Sequence, residues 1–354
     1  MNKNKINHFD ILVIGGGHAG IEAALITARL GHKVALITLD EKKIGQMPCN
    51  PSVGGAAKGV VVCEIDALGG EMGRAADKTA LQFKLLNTSG GPAIQALRVQ
   101  SDKLAYARYM QKVIKQQENL TLIIGAVDRL LIEEIANEKK VKGVKLKDNQ
   151  IIQAPIVILT TGTYLQPLTY RGKEVKVEGP DGEKKVTNQI SQQLQELGFT
   201  LKRFSTGTSP RIYRDSIDLE KNVHDLNYKI EPGTDLPLRF SSRSQSSDLL
   251  SFSQQEACYL LHTNENTHQI VRNNLYLTLL GQKGNLTPGP RRCPGIEEKV
   301  LNFPDKKGHQ IFLEPESREL NTLYIQGLAT SLPSEIQQQV LQTLPGFEKV
   351  RVAK

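Results

Sequence analysis

The segment from Asp10 to Thr38 constrains the fold more than any other part of the chain. Asp10 to Ile14 (DILVI) is a short apolar run that ends in glycines. Residues 18–31 follow with apolar positions at helical spacing, closed by Gly31, and Lys33 to Thr38 (KVALIT) forms a second apolar run. Runs that are apolar at nearly every position suit parallel strands covered on both faces. The order predicts a strand–helix–strand unit. Gly15, Gly17 and Gly20 stand between the first strand and the helix with the spacing G-x-G-x-x-G. The first glycine permits a tight turn, the second lets a pyrophosphate approach the backbone at the helix N-terminus, and the third permits close helix–strand packing. Alone this spacing is a weak signal; placed between strand and helix it predicts a dinucleotide site. Such folds usually end the second strand in Asp or Glu for the ribose hydroxyls. Here Thr38 holds that position and Asp40 follows, so the glycine unit by itself does not choose FAD over NAD.

The rest of the chain reads as two units. Residues 45–59 are rich in Gly and Pro and predict a structured loop entering a helix. Residues 101–118 predict a helix with Ser101 or Asp102 near its N-cap. Four strand-like runs (120–125, 128–134, 141–147 and 150–153) predict a β-meander, and Ile156 to Thr160 a return to the parallel sheet. From about residue 164 the composition turns polar. A short helix is expected at 187–198, ending at Gly198. Residues 205–315 carry many Pro, Ser, Asn and Arg and read as an inserted second domain. The run Asn321 to Ile325 reads as a strand rejoining the first domain, and residues 333–346 as a capped helix. The expected division is 1–204, 205–318 and 319–354.

A chain of 354 residues, 39% hydrophobic and 23% charged, is long enough for two domains with a sizeable core. No apolar run approaches the roughly 18 residues needed to span a membrane. The start carries neither a signal-peptide core nor an Arg-rich presequence, so a cytoplasmic location is expected. The net charge of +8 fits a polyanionic partner such as RNA, or a Lys-rich surface that only keeps the chain soluble. Cys49, Cys63, Cys258 and Cys293 include no CxxC pair, which removes support for zinc and thioredoxin-like readings. His262 and His268 sit in a polar stretch without companion ligands, and no metal is expected.

Long ordered motifs then narrow the reading. GGGHAGIEAA (15–24), GQMPCNPSVGG (45–55), EIDALGGEMG (64–73) and LQFKLLNTSGGPA (81–93) resemble the MnmG (GidA) family. So do LTTGTY (159–164), TGTSPR (206–211), HTNENTH (262–268), GPRRCPGIEEKV (289–300), QIFLEPES (310–317) and TSLPSEIQ (331–338). The resemblance spans nearly the whole chain. It implies an α/β flavoprotein with two dinucleotide-binding folds: a Rossmann-like FAD domain with a β-meander, and an inserted α/β domain. It also implies a homodimeric enzyme that, with the GTPase MnmE, installs an aminomethyl or carboxymethylaminomethyl group on C5 of the tRNA wobble uridine. FAD, NADH and methylene-tetrahydrofolate are the implied cofactors and co-substrate.

The resemblance also implies site residues. Gly15, Gly16, Gly17, His18, Ala19 and Gly20 correspond to the FAD pyrophosphate loop, and Val127 and Thr187 fall where the family touches FAD. Gly289, Pro290, Arg291, Arg292, Cys293, Pro294, Gly295, Ile296, Glu297, Glu298, Lys299, Val300, Leu301, Asn302 and Phe303 correspond to the nicotinamide-binding segment. Cys49 and Cys293 stand at the two family thiol positions. Cys63 and Cys258 match none and read as buried small hydrophobes. Gly90 stands where the family usually carries a basic or other polar residue, and Gln95 where Arg is common.

Each of the two family thiols precedes a segment that can start a helix, Cys293 through Pro294, a favoured first helical residue. A thiol at a helix N-terminus, with Arg291 and Arg292 near, is expected to ionise readily; known cases span roughly 3.5–7.5 against a free value near 8.5. The thiolate could add to C6 of uridine and make C5 nucleophilic, or act as general acid/base near the flavin. Otherwise both thiols merely pack in loops. Arg211 and Arg214 read either as phosphate ligands or as part of a solvated basic face. Family members continue well past residue 354, and this chain alone is expected to be catalytically incompetent. Three alternatives stay open: a truncated remnant or FAD-binding fragment that needs a second polypeptide, a folate-dependent flavin tRNA methyltransferase, and a disulfide reductase. The reductase is disfavoured because Cys49 lacks a partner at short spacing.

Overall fold

The computed structural model describes residues 7–179, 189–204, 206–225, 228–236, 238–278 and 294–353. The first unit is built on a parallel sheet in the order Ile156–Leu159, Ile11–Ile14, Val34–Thr38, Leu120–Ile124. Its central strands are buried on both faces, which is why they are apolar at every position. Ile11, Val13, Val34 and Leu36 face one core, shared with Ile21, Leu25, Tyr106, Met110 and Ile114 of the helices His18–Arg29 and Lys103–Gln116. Leu12, Ile14, Ala35 and Ile37 face the other, closed by Val127, Leu130, Val144, Leu146 and Ile152. The result is a three-layer stack of helices, parallel sheet and antiparallel sheet. The helix at 103–116 starts as expected: Asp102 accepts from the Leu104 and Ala105 amides, both at 3.0 Å.

The meander differs from expectation. Leu120–Ile124 pairs in parallel with Val34–Thr38 and completes the first sheet. Only Val127–Ile135, Glu138–Leu146 and Ile151–Gln153 form the antiparallel layer, joined by the short strand Asn7–His8. A run at the end of a helix that returns to the sheet can pair parallel, and its apolar pattern alone does not separate the two cases. Residues 45–59 also hold more structure than a loop: Ser52–Gly54 is a strand, in a three-stranded sheet with Ala96–Ser101 and Ala80–Leu86, and the helix begins at Lys58.

The second unit is a five-stranded antiparallel sheet, ordered Arg211–Tyr213, Thr322–Gln326, Gln310–Pro315, Cys258–His262, Lys229–Glu231. Ile311, Leu313, Leu323 and Ile325 face a core completed by the helices Glu265–Asn273, Ile296–Asn302 and Ser334–Gln342. The strand expected to rejoin the first domain, at 321–325, therefore belongs to this sheet. Leu323, Tyr324 and Ile325 are all buried, so the strand is covered on both faces like a parallel one and its apolar run alone does not separate the two sheets. Conversely, residues 238–250 leave the second unit: Leu238, Phe240, Leu249 and Leu250 pack into the first core. Asp77 fastens them, accepting from the Phe240 and Ser241 amides (2.8 and 2.9 Å) and the Ser244 hydroxyl (2.6 Å). Among the described residues no helix is long and apolar enough to cross a membrane.

Candidate functional site

The glycine turn has the geometry that its spacing predicts. Gly15 has φ +114°, and a Cβ there would lie 2.5 Å from the Thr160 carbonyl oxygen. A Cβ on Gly20 would lie 1.8 Å from the Gly15 carbonyl oxygen, so this helix meets the turn only through glycine. Gly17 differs: a Cβ there would meet nothing within 4 Å. It is also the N-cap of the helix His18–Arg29 and, as a glycine, brings no side chain to cap that end. Free N–H groups, the positive end of the helix dipole and an open approach at Gly17 make a cradle for a pyrophosphate. The residues present therefore fit a dinucleotide. Thr160, at the end of the neighbouring strand, ties the turn down by donating to Ile14 O (2.9 Å) and Gly15 O (3.2 Å). His18 lies under the turn, its ring edge-on to Tyr106 at 5.6 Å between centroids, and burial lowers its pKa. Asp40, two residues past Thr38, accepts from the Lys42 amide at 2.9 Å and caps a short helical turn. Val127 is buried in the core under the sheet, so only its main chain can meet a ligand.

Cys49 is half-buried at the junction of the two units. It does not stand at a helix N-terminus: a strand follows it, and the helix starts only at Lys58. Its surroundings come from the second sheet instead. Sγ lies 3.6 Å from the Tyr324 hydroxyl and 3.8 Å from the Gly207 carbonyl oxygen. Arg211 donates to Cys49 O (2.6 Å) and Pro48 O (3.1 Å) and lies 4.8 Å from the centre of the Tyr324 ring. Asn50 donates to Gln326 at 3.3 Å. Arg211 is itself buried, held by Glu316 at 3.2 Å, and Glu316 also receives Lys103 (2.7 Å) and Thr322 (3.1 Å). This Arg is thus neither a solvated surface charge nor free to take a phosphate. Tyr324 was not foreseen. Its signal was present, since in the strand Thr322–Gln326 it points opposite to the core residues Leu323 and Ile325.

With the fold and this geometry in place, comparison with known proteins is decisive. The family model "Glucose inhibited division protein A" matches residues 10–354. The chain belongs to the GidA family. It is 51% identical over 346 residues to the tRNA uridine 5-carboxymethylaminomethyl modification enzyme MnmG of Mycoplasma mycoides subsp. mycoides, covering 98% of this chain and 53% of that one. The enzyme of the same name from Geobacillus thermodenitrificans is 46% identical, with the same shares covered. The crystal structure of Aquifex aeolicus GidA superposes with a TM-score of 0.89 at 42% identity, covering 98% of this chain and 57% of that one. This GidA-family chain spans about half the length of the curated relatives it matches.

The other residues implied by membership of the GidA family divide into three groups. Thr187, Gly289, Pro290, Arg291, Arg292 and Cys293 lie outside the described residues. Ile296 and Val300 are core residues, and buried Glu297 accepts from the Thr330 hydroxyl (2.7 Å) and the Ser331 amide (3.0 Å). Lys299 donates to Gly327 O at 2.7 Å. Leu301 and Phe303 are exposed, and Asn302 ends the helix. That helix starts at Ile296 with Gly295 as N-cap, so Pro294 precedes it instead of opening it; Glu298 accepts from the Gly295 amide at 3.2 Å.

Cys258 is buried in the described structure, and burial, then the nearby Glu314, push its thiol up to about 12. Cys63, expected to be buried, is exposed on the helix Lys58–Ala67; desolvation and the charges of Asp66 and Asp77 raise its pKa. Neither thiol is activated. Gln95 donates to Gly90 O at 3.2 Å, so these two departures from the family stabilise one turn. Arg214 is half-exposed, 3.8 Å from Glu256. His262 ends a strand, and His268 lies buried in a helix, so neither sits in the polar loop expected. Among the described residues no group of His, Cys, Asp and Glu is placed to hold a metal.

Proposed function

We propose that this chain is the cofactor-binding part of an enzyme that modifies C5 of the tRNA wobble uridine. In this reading it acts as a homodimer in the cytoplasm, in concert with an MnmE-type GTPase, and draws on NADH and methylene-tetrahydrofolate. FAD would lie with its pyrophosphate over Gly15 to Gly20, where uncapped amides and the open Gly17 receive it, and would supply the redox chemistry. The exposed Leu301 and Phe303 are available to the nicotinamide end of NADH. Cys49 is the candidate nucleophile: a thiolate there adds to C6 of uridine, which makes C5 nucleophilic toward the one-carbon unit. Cys293 is the candidate second thiol, acting as general acid/base. The observation that carries this reading is the pairing of a cradle fit for a dinucleotide with a half-buried thiol held in a fixed loop.

The test uses protein carrying the full length of the curated relatives. Cys49→Ser is expected to abolish wobble-uridine modification, read by mass analysis of tRNA nucleosides, while FAD absorbance stays unchanged. Full modification by Cys49→Ser removes Cys49 from the chemistry. Modification that yields a 5-methyl group instead would favour a folate-dependent methyltransferase.

A further inference from the structure

We propose that Tyr324 is the positioning residue for the Cys49 thiol, its hydroxyl donating to Sγ and stabilising the sulfur in its ionised form. This rests on the reading of Cys49 as nucleophile. Two groups approach the sulfur, and they are chemically unlike. The Gly207 carbonyl, at 3.8 Å, can only accept. It holds the protonated thiol and repels the thiolate. The Tyr324 hydroxyl, at 3.6 Å, can donate. When the thiol gives up its proton to solvent base, the tyrosine is the partner that can follow the charge.

The rest of the arrangement favours a donor role over mere packing. Tyr324 is 2% exposed while Cys49 is half-buried, so substrate can reach the sulfur but not the hydroxyl. Burial, and then the charge of Cys49, raise the tyrosine's pKa, which keeps its proton available to donate. Arg211 binds both sides of the contact, donating to Cys49 O at 2.6 Å and stacking 4.8 Å from the Tyr324 ring centre. One cation therefore fixes the distance between hydroxyl and sulfur. Ser209 acts on the hydroxyl in the opposite sense and lowers its pKa, by less than burial raises it.

The experiment is site-resolved alkylation of Cys49 by iodoacetamide as a function of pH, on the intact protein and on Tyr324→Phe. Peptide mass spectrometry separates Cys49 from the exposed Cys63. Loss of one hydrogen bond to a charged sulfur should slow alkylation near neutral pH by roughly tenfold or more and move the profile to higher pH. Superimposable profiles overturn the proposal; a purely structural tyrosine would change the melting temperature and leave the profile in place. Should Tyr324→Phe fail to fold, replacing tyrosine by 3-fluorotyrosine keeps the ring's shape and strengthens the donor. The profile then moves to lower pH, and an unmoved profile overturns the proposal equally. Alkylation reports the hydrogen bond alone. Whether Cys49 attacks uridine is read separately, from tRNA modification by Cys49→Ser.

Discussion

Arg211 shows how much one buried side chain can determine at the residue scale. A guanidinium has five N–H donors. Here Nε bonds Glu316, Nη1 bonds the Thr208 hydroxyl and Ser209 O, and Nη2 bonds Pro48 O and Cys49 O. The fork thus joins the loop carrying Cys49 to the sheet of the second unit. Removing a buried charge leaves its partners behind, and the cost of breaking such a pair is roughly 3–5 kcal/mol. Arg211→Leu is expected to destabilise by about the lower end of that range, roughly 3 kcal/mol, because Lys103 still neutralises Glu316. Adding Glu316→Gln should deepen the loss, because it takes the carboxylate away from Lys103 as well. Urea unfolding of the two single variants and the double variant gives the coupling; a single variant within about 1 kcal/mol of wild type would show that the network is not stabilising.

At the scale of one element, the strand–turn–helix unit makes a sharper statement. Gly17 and Gly20 sit in the same turn, but a Cβ on Gly17 meets nothing and a Cβ on Gly20 overlaps the Gly15 carbonyl. Gly17 also has an ordinary φ of −77°. Gly20→Ala is expected to cost roughly 3 kcal/mol through overpacking, whereas Gly17→Val should leave the melting temperature nearly unchanged and weaken FAD binding by at least tenfold through loss of the open approach to the pyrophosphate. Titration of FAD into both forms, with their thermal melts, separates the two; equal FAD affinity for wild type and Gly17→Val would reject the cradle. This unit was legible because its signals are local: glycine spacing, a doubly covered apolar strand and a helix start lie within thirty residues. Cys49 was legible as a residue but not in its surroundings. Its neighbours Arg211 and Tyr324 arrive from a sheet far along the chain, and Gly207 from the segment that leads into it; pairing between distant strands leaves no local mark. The same limit explains why Leu120–Ile124 read as part of the meander and Thr322–Gln326 as part of the first unit.

Over the whole molecule, polar side chains link the two units. Gln82 donates to Glu231 O and Glu256 O, Lys84 pairs with Glu231, Arg98 with Glu314 and Lys103 with Glu316. Such an assembly responds to pH, and the histidines of the second unit set one part of that response. His309 donates its amide to the Thr263 hydroxyl at 2.8 Å, and the same hydroxyl shares a hydrogen bond with Nε2 of His268, also at 2.8 Å. The two rings lie 5.1 Å apart, and the buried Nε2 of His309 has no hydrogen-bond partner among the described residues. Burial lowers both pKa values from 6.5; for His309 the charges of His268 when protonated, Lys299 and Lys306 lower it further, while for His268 Glu265 pulls up and Arg272 pulls down. A group whose folded pKa is depressed contributes stability that is present above its unfolded value and lost as pH falls through the folded one. Below about pH 6.5 the unfolded chain binds these protons and the folded chain resists them. The raised carboxyls Glu22, Asp77 and Glu314 work in the opposite sense, so the histidine part is best read as a difference. Between about pH 7.5 and 5.5 the melting temperature of His309→Leu should fall less than that of wild type, because leucine takes no proton and needs no partner. Parallel curves for the two proteins would mean that His309 titrates no differently folded than unfolded.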